Sequence, residues 1–215
     1  MTVSTSIILP ISVAVYECVT IALVQNIIRL LINDKSYFIM INQMPVLRST
    51  IHPDVTDPKS TDQRIAARGI ITQGEEILLI FTARYHDYSL PGGGMHEGED
   101  IVTALIREVE EETGAENIHN VAPYGCYEEM RPWYKGGFDS IHMVSYCFTC
   151  DANKLLGTPR LEENEIKNGV SAMWINIHEA IAHNLEVIKS YPKAGLSIER
   201  ETYLLQKIAK ELVAA

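Results

Sequence analysis

Four glutamates lie close together in this sequence, at Glu108 and Glu110 to Glu112, within the stretch LPGGGMHEGEDIVTALIREVEEETGA. On a helix, which turns by about 100° per residue, Glu108, Glu111 and Glu112 share one face and Glu110 points away. Three carboxylates on one face repel each other unless a cation lies among them. Because carboxylate oxygens are the ligands that Mg²⁺ and Mn²⁺ prefer, the spacing predicts a divalent-metal site; the alternative is a solvated acidic face.

The helix that carries these glutamates is predicted by its apolar residues. Val102, Leu105, Ile106 and Val109 form a stripe beside the acidic face, and this stripe must pack on a core. We expect the helix to end at Gly114, because glycine is the residue that most often follows the last helical turn.

Short β-branched runs on both sides of the helix predict strands. RIAARGIIT and EILLIFTARY are separated by the turn QGE and are expected to form a hairpin, and NVAPYGCYEEM, DSIHMVSYCFTC and SAMWINI read as further strands. HEAIAHNLEVIK and LSIERETYLLQKIAKELVAA have helical periodicity. The sequence therefore predicts an α+β fold with a mixed β-sheet.

The composition of the chain indicates which binding partners to exclude and which cellular compartment to expect. The chain has 215 residues and a formal net charge of -10, which opposes binding to long nucleic acids or to anionic lipid. Four cysteines in apolar or strand-like stretches favour reduced thiols and a cytoplasmic protein. The pair in CFTC is three residues apart on a strand, so we expect packing rather than a zinc or redox site.

The first 50 residues form an apolar N-terminal extension, and residues 51–215 are expected to form the main domain. The run from Ser6 to Ile28 has the length of a membrane span but contains Pro10 and Glu17. Three interpretations stay open: a packed element or dimer contact, a membrane anchor, and an upstream extension with initiation at Met40 or Met44. We favour the first and expect a homodimer rather than a membrane protein.

The fixed residues of the glutamate-rich stretch follow the spacing G-x5-E-x7-R-E-U-x-E-E-x-G-U, where U is aliphatic. The matching positions are Gly93, Glu99, Arg107, Glu108, Val109, Glu111, Glu112 and Gly114. This pattern resembles the Nudix box of the Nudix hydrolase superfamily, and it departs from it only at Ala115, where a larger aliphatic residue is usual. The resemblance covers about residues 64–184. It implies a Nudix-like α/β/α sandwich with a loop-helix-loop catalytic motif.

The resemblance also implies roles for individual residues. The metal ligands would be Glu108, Glu111 and Glu112 with the backbone carbonyl of Gly92. Arg107 would orient the carboxylates and pair with Glu99. The general base would be Glu112 or a residue of the later run LEENEI, where the candidates are Glu162, Glu163 and Glu165 and we single out Glu163.

The implied activity is metal-dependent hydrolysis, with Mg²⁺ or Mn²⁺, of a phosphoanhydride bond in a nucleoside diphosphate linked to another moiety. ADP-ribose or a nucleoside triphosphate is the expected small-molecule substrate. Aromatic and cationic side chains near the turn are able to stack a base or hold a phosphate, although such residues also serve as ordinary strand ends. The candidate substrate-binding residues are Arg84, Tyr88, Gly93, Gly94, Arg131 and Trp133.

Two other functions of the same fold are considered. A nucleotide sensor that binds without cleaving usually has a degraded box, whereas this box is intact. A prenyl diphosphate isomerase needs a reactive cysteine opposite a glutamate, and Cys126 followed by Glu128 and Glu129 is the one hint of it.

Overall fold

The computed structural model describes residue 41 and residues 43–57, 59–133 and 136–213. The chain divides into two compact units, Met1–Asn42 and Gln43–Ala215. Residues 1–40 and 42 of the predicted N-terminal extension, with the packed element, dimer contact or anchor, lie outside the described residues, whereas its residues 43–50 belong to the second unit. The following account therefore concerns the second unit.

The first sheet contains four strands in the order β1-β6-β7-β2. These are β1 (Val46–Ile51), β6 (His119–Pro132), β7 (Ser140–Asp151) and β2 (Thr61–Ile70). The long central pair β6 and β7 is antiparallel, whereas β1 joins β6 and β2 joins β7 in parallel. The sheet is thus mixed, as the sequence predicts.

The second sheet is antiparallel and comprises β3 (Thr72–Gln73), β4 (Glu76–Thr82), β5 (Asp87–Ser89) and β8 (Val170–Asn176). The predicted hairpin is therefore wrong for most of its first strand. Only the two residues of β3 pair with β4, while β2 pairs with β7 over ten consecutive positions, Thr61 to Ile70. Ten ladder positions with a distant strand outweigh a short local turn.

The helices are α1 (Ile101–Thr113), α2 (Glu163–Asn168), α3 (Ile177–Ser190) and α4 (Ile198–Ile208), and a π-helical turn, Ala209–Val213, follows α4. As predicted, α1 buries Val102, Leu105 and Val109 and is followed by Gly114 in a left-handed conformation. The side chain of Asp100 accepts hydrogen bonds from the first turn, which fixes the start of α1.

Helices α1 and α4 lie on opposite faces of β2. A methyl group at Gly69 would lie 2.9 Å from Val109 Cγ2, so this residue faces α1. The next residue, Ile70, belongs to the core cluster that contains Leu204 and Leu205 of α4. Since successive strand residues point to opposite faces, the sheet lies between the two helices in an α/β/α arrangement.

The glycine-rich turn closes the outer edge of β2. Ala67 N–H donates to the Gly93 carbonyl at 2.9 Å, Gly69 N–H donates to the Pro91 carbonyl at 2.8 Å, and Met95 N–H donates to the Ile65 carbonyl at 3.2 Å. Residues 91–95 therefore run along the edge of β2 and form one antiparallel bridge with it, between Gly94 and Ala66.

Among the described residues, the burial of the cysteines and the properties of the helices are those of a packed domain. Cys126, Cys147 and Cys150 are free and buried. None of the helices described in the structure combines the length and the hydropathy needed to cross a bilayer.

Candidate active site

Gly92 is the residue through which the turn contacts both neighbouring elements. Its φ of 131° favours glycine, and a Cβ there would overlap the carbonyl oxygen of Ala67. Its N–H donates to Glu112 Oε2 at 2.6 Å, and its carbonyl accepts from Arg68. Gly92 thus joins the turn to α1 and to β2.

We expect Gly92→Ala to destabilise the domain by about 3 kcal/mol or more, because it adds a clash to an unfavourable backbone conformation. Thermal unfolding measures this effect. Gly98→Ala is the matched control, since Gly98 also has a positive φ of 78° but no atom within 4 Å of the added methyl group, and its cost should be about 1 kcal/mol. Equal melting temperatures for the two variants would contradict the steric argument.

Arg107 organises the acidic residues around it. Its Nε donates to Glu99 Oε1 at 2.8 Å and its Nη2 donates to Glu99 Oε2 at 3.0 Å, so the predicted pair is present as a bidentate contact. Nη1 donates to Glu108 at 2.8 Å and to Glu111 at 3.4 Å, and Nη2 also reaches the Gly94 carbonyl at 3.1 Å. The hydrogen bonds from Arg107 lower the pKa of Glu99 to about 2.

Glu108 and Glu111 lie beside Arg107 with different exposure. The side chain of Glu108 is 15% exposed and lies so close to Gly93 that a Cβ there would overlap its carboxylate. Glu111 is 34% exposed and has Arg160 as a second cation at 3.9 Å. The turn therefore needs glycine at two successive positions for different reasons, at Gly92 because of its φ and the Ala67 carbonyl and at Gly93 because of the Glu108 carboxylate.

Glu112 is the acidic residue whose protonation the fold changes most within α1. Burial raises the pKa of its carboxyl to about 8, against the hydrogen bond from Gly92 and the charge of Arg68, and the charges of Glu165 and Glu108 add to the increase. A carboxyl with this pKa is able to exchange a proton near neutral pH. Once a nearby cation or a higher pH has removed its proton, such a carboxyl is able to act as a general base.

The later acidic run contributes Glu165 rather than Glu163 to this cluster. Glu163 is 89% exposed and lies 3.6 Å from Lys167 on the same helical turn. Burial and the charges of Glu162, Glu108 and Glu111 raise the pKa of Glu165, whose carboxylate also caps α2 through Glu162 N–H at 2.7 Å. We therefore propose Glu165, which was already among the three candidates, rather than Glu163 as the second candidate for the base.

The donor set fits a hard divalent cation in chemistry but is not yet gathered around one point. Glu108, Glu111 and Glu112 provide carboxylate oxygens next to the glycine turn, and the like charges around them favour a cation. Within the described part of the chain, however, no three acidic, histidine or cysteine side chains converge as a metal site. The Gly92 carbonyl, proposed as a backbone ligand, already accepts a hydrogen bond from Arg68.

The predicted substrate-binding residues occupy different regions. Arg84 donates to Asn168 at the end of α2 and lies over the Tyr85 ring. Tyr88 packs against the core cluster, with its ring 5.0 Å from that of Phe81. These contacts favour a structural role for Tyr88 and leave Arg84 at the surface.

The other predicted substrate-binding residues lie on the first sheet or beside it. Gly93 and Gly94 belong to the turn along β2, and Arg131 lies near the end of β6. The backbone of Trp133 follows β6 and donates to the Asp139 carbonyl at 3.0 Å. The structure thus brings the two glycines to the acidic cluster.

The sequence analysis did not identify several charged residues that lie near the turn. Arg68 holds the Gly92 carbonyl, and the buried Glu201 accepts a hydrogen bond at 3.0 Å from the N–H of Leu90, just before the turn. Glu201 is in turn paired with the buried Arg200 at 2.7 Å. In the sequence, the signal for this buried pair is that Arg200 and Glu201 lie in a helix whose neighbouring residues predict burial.

The cysteine of the isomerase alternative is poorly placed for reactivity. Cys126 is buried, and burial together with the charge of Glu128 raises the pKa of its thiol. A thiol with a raised pKa is a weak nucleophile.

Comparison with known proteins adds three findings. The family model described as NUDIX domain matches residues 62–194. A comparison of this chain with curated proteins finds no match. Solved structures similar to this chain include a NUDIX hydrolase from Nitrosomonas europaea, with 21% identity, a TM-score of 0.46 and coverage of 64% of this chain and 95% of that one. They also include a MutT NUDIX hydrolase from Burkholderia pseudomallei, with 23% identity, a TM-score of 0.40 and coverage of 54% and 85%.

Proposed function

Because the chain belongs to the NUDIX domain family and is a pyrophosphohydrolase of that family, we propose that it cleaves the phosphoanhydride bond of a nucleoside diphosphate linked to another moiety. One observation carries this proposal. Arg107 and the Gly92 N–H hold three carboxylates of one helix against a glycine-rich turn. ADP-ribose and nucleoside triphosphates are the two substrate classes that we propose.

The roles within the site follow from these contacts. When bound, Mg²⁺ or Mn²⁺ would polarise the phosphoryl oxygens and activate the attacking water, and Glu108, Glu111 and Glu112 would hold it. Arg107 keeps Glu108 and Glu111 oriented, and Glu99 neutralises Arg107 from its other side. The ionised carboxylate of Glu112 or Glu165 would accept the proton of the water, and burial, which raises the pKa of each, makes either a stronger base in that form.

A substrate screen tests the proposal. Purified protein with Mg²⁺ or Mn²⁺ is incubated with ADP-ribose, nucleoside triphosphates and other nucleoside diphosphate derivatives, and the release of AMP, phosphate and pyrophosphate is measured. Cleavage of at least one such anhydride is the expected result. Binding without cleavage of every member would instead support the sensor function.

We further propose a homodimer in the cytoplasm, with the apolar N-terminal extension as the contact. A protein that begins at Met44 is expected to keep hydrolysis, since the turn and α1 lie downstream, but to shift towards monomer or aggregate as apolar surface is uncovered. Light scattering of both proteins measures this shift. An unchanged number of protomers per particle, with unchanged solubility, would show that the extension has no part in assembly.

A further inference from the structure

Glu201 places a carboxylate at a position of α4 where the helical phase predicts an apolar side chain. With Leu204, Leu205 and Ile208 it follows the i, i+3, i+4, i+7 spacing of a core-facing stripe, and these three residues belong to the core cluster. Glu201 is fully buried as well. Because an apolar side chain of similar volume is often as stabilising as a buried ion pair, the carboxylate indicates a task beyond packing.

The two oxygens of Glu201 have different partners. Oε1 accepts hydrogen bonds from Nε and Nη2 of Arg200, at 3.0 and 2.7 Å. Arg200 also donates through Nη1 to Glu129 of β6, one of the two central strands of the first sheet. Oε2 of Glu201 accepts from the Leu90 N–H at 3.0 Å. The carboxylate therefore connects the centre of the first sheet to the residue before Pro91.

Leu90 is the point where the chain passes from the second sheet to the first. The ladder between β5 and β4 ends at Ser89, and contacts with β2 begin at the Pro91 carbonyl. Leu90 lies between the two and is fully buried. Its N–H would lack an acceptor at this crossing without Glu201, and a buried N–H without an acceptor is unfavourable.

A stiff segment joins Leu90 to the candidate active site. The ring of Pro91 fixes its φ, and a residue that precedes proline is restricted to extended conformations. The next residue is Gly92, whose N–H donates to Glu112 at 2.6 Å and whose carbonyl is a proposed metal ligand. A displacement of Leu90 is therefore passed on to Gly92 across a single rigid residue.

We propose that Glu201 is a positioning residue, which through Leu90 sets the place of Gly92 relative to Glu112 and so prepares the site for Mg²⁺ or Mn²⁺. Glu112 holds the turn from α1 and Glu201 holds it from α4, on the opposite face of the sheet. The hold from α4 matters most when a cation occupies the Glu112 carboxylate. The inference rests on the proposed function, in which Gly92 and Glu112 are metal ligands.

The test is Glu201→Gln, which keeps the size of the side chain but has one acceptor oxygen where two are used. Either Arg200 or the Leu90 N–H then loses its contact. Hydrogen exchange of the Gly92 amide, followed by NMR without metal, should become roughly 10-fold faster or more. Calorimetric titration should show that the Kd for Mn²⁺ rises by roughly 10-fold. Unchanged exchange and unchanged affinity would overturn the inference.

Asn184→Leu is the matched control for a merely structural effect. Asn184 of α3 is fully buried and holds the edge of β5 one step earlier, through the N–H and the carbonyl of Tyr88, both at 2.9 Å. Tyr88 also pairs with Phe81 of β4, so the ladder retains it in this variant. The melting temperature should fall at least as much as in Glu201→Gln, whereas Gly92 exchange and Mn²⁺ affinity should stay within about twofold of the wild type. Equal changes in both variants would show that Glu201 only stabilises the fold.

Further variants and the wild type separate the remaining outcomes. Glu201→Asp keeps both oxygens on a shorter side chain, and its Mn²⁺ affinity should lie between those of the wild type and Glu201→Gln. If Glu201→Gln does not fold, an affinity of Glu201→Asp equal to that of the wild type overturns the inference, and Asn184→Asp replaces an unfolded Asn184→Leu. If the wild type cleaves no nucleotide derivative, the proposed function fails while the Mn²⁺ titration still decides the role of Glu201. A wild type that binds no Mn²⁺ would overturn the inference together with the metal site.

Discussion

Hydrolysis is expected to fall below detection in excess EDTA and to recover when Mg²⁺ or Mn²⁺ is restored. The reason lies in the charge of the site, because Glu108 and Glu111, and Glu112 once it is ionised, would otherwise repel a phosphate anion from the turn. Only a cation among these carboxylates makes the approach of the substrate favourable. Release of the products named above, measured with and without chelator, gives the result directly.

The same samples need a control for folding, since chelation is expected to leave the domain intact. Circular dichroism in EDTA should match that of the metal-loaded protein, because hydrogen bonds within the protein, from Arg107 to Glu99 and from the Gly92 N–H to Glu112, already hold α1 against the turn. Undiminished turnover in excess EDTA would contradict the proposed mechanism. Loss of folded structure in EDTA would instead assign the metal a structural role.

Glu112→Gln is expected to lower kcat by roughly 10²-fold or more, because the change removes both a proposed metal ligand and a candidate base while the amide keeps the size of the side chain. Steady-state kinetics with the best substrate of the screen measures the loss. Glu110→Gln is the matched control, since it makes the same chemical change on the same helix at a position that sequence phase directs away from the cluster. Similar losses in both variants would place the base elsewhere.

The pH dependence of stability provides a second measurement, which reports the protonation of Glu112. Its ordinary pKa of 4.5 rises to about 8 in the folded protein, so the folded state binds this proton more tightly than the unfolded state. Without metal, the contribution of Glu112 to the free energy of unfolding should therefore be greatest below about pH 4.5. It should decrease as the pH rises to about 8. Glu112→Gln should flatten this decrease in the free energy of unfolding. An identical slope in urea titrations of both proteins would refute the assignment.

The local part of the site follows from the sequence because its contacts are short-range. Helical phase alone places Glu108, Glu111 and Glu112 on one face, whereas the contact of Arg107 with Glu99 also depends on the chain before the N-cap residue Asp100. The separation of Glu163 from Glu165 was harder to predict. It depends on where the short helix α2 begins, and capping by Glu165 decides this start.

The long-range part of the fold does not follow from local patterns. The run from Arg64 to Ile70 alternates in a way that predicts a strand, but nothing in it specifies β7 as the partner rather than the nearer β4. Similarly, Arg200 and Glu129 are separated by 71 residues, and their contact forms only when the domain packs. Pairs of this kind are a property of the packed domain.

The backbone pairing between the glycine turn and β2 gives the turn a protective task as well as a catalytic one. A strand at the end of a sheet exposes unpaired amides that invite another chain, and residues 91–95 occupy those of Ala67 and Gly69. Each opening of the turn would thus leave the edge of β2 unpaired and accessible to another chain, and it would disrupt the site at the same time. The hydrogen-exchange rates of these two amides therefore report how often this happens, and a substitution that loosens the turn should promote aggregation together with the loss of activity.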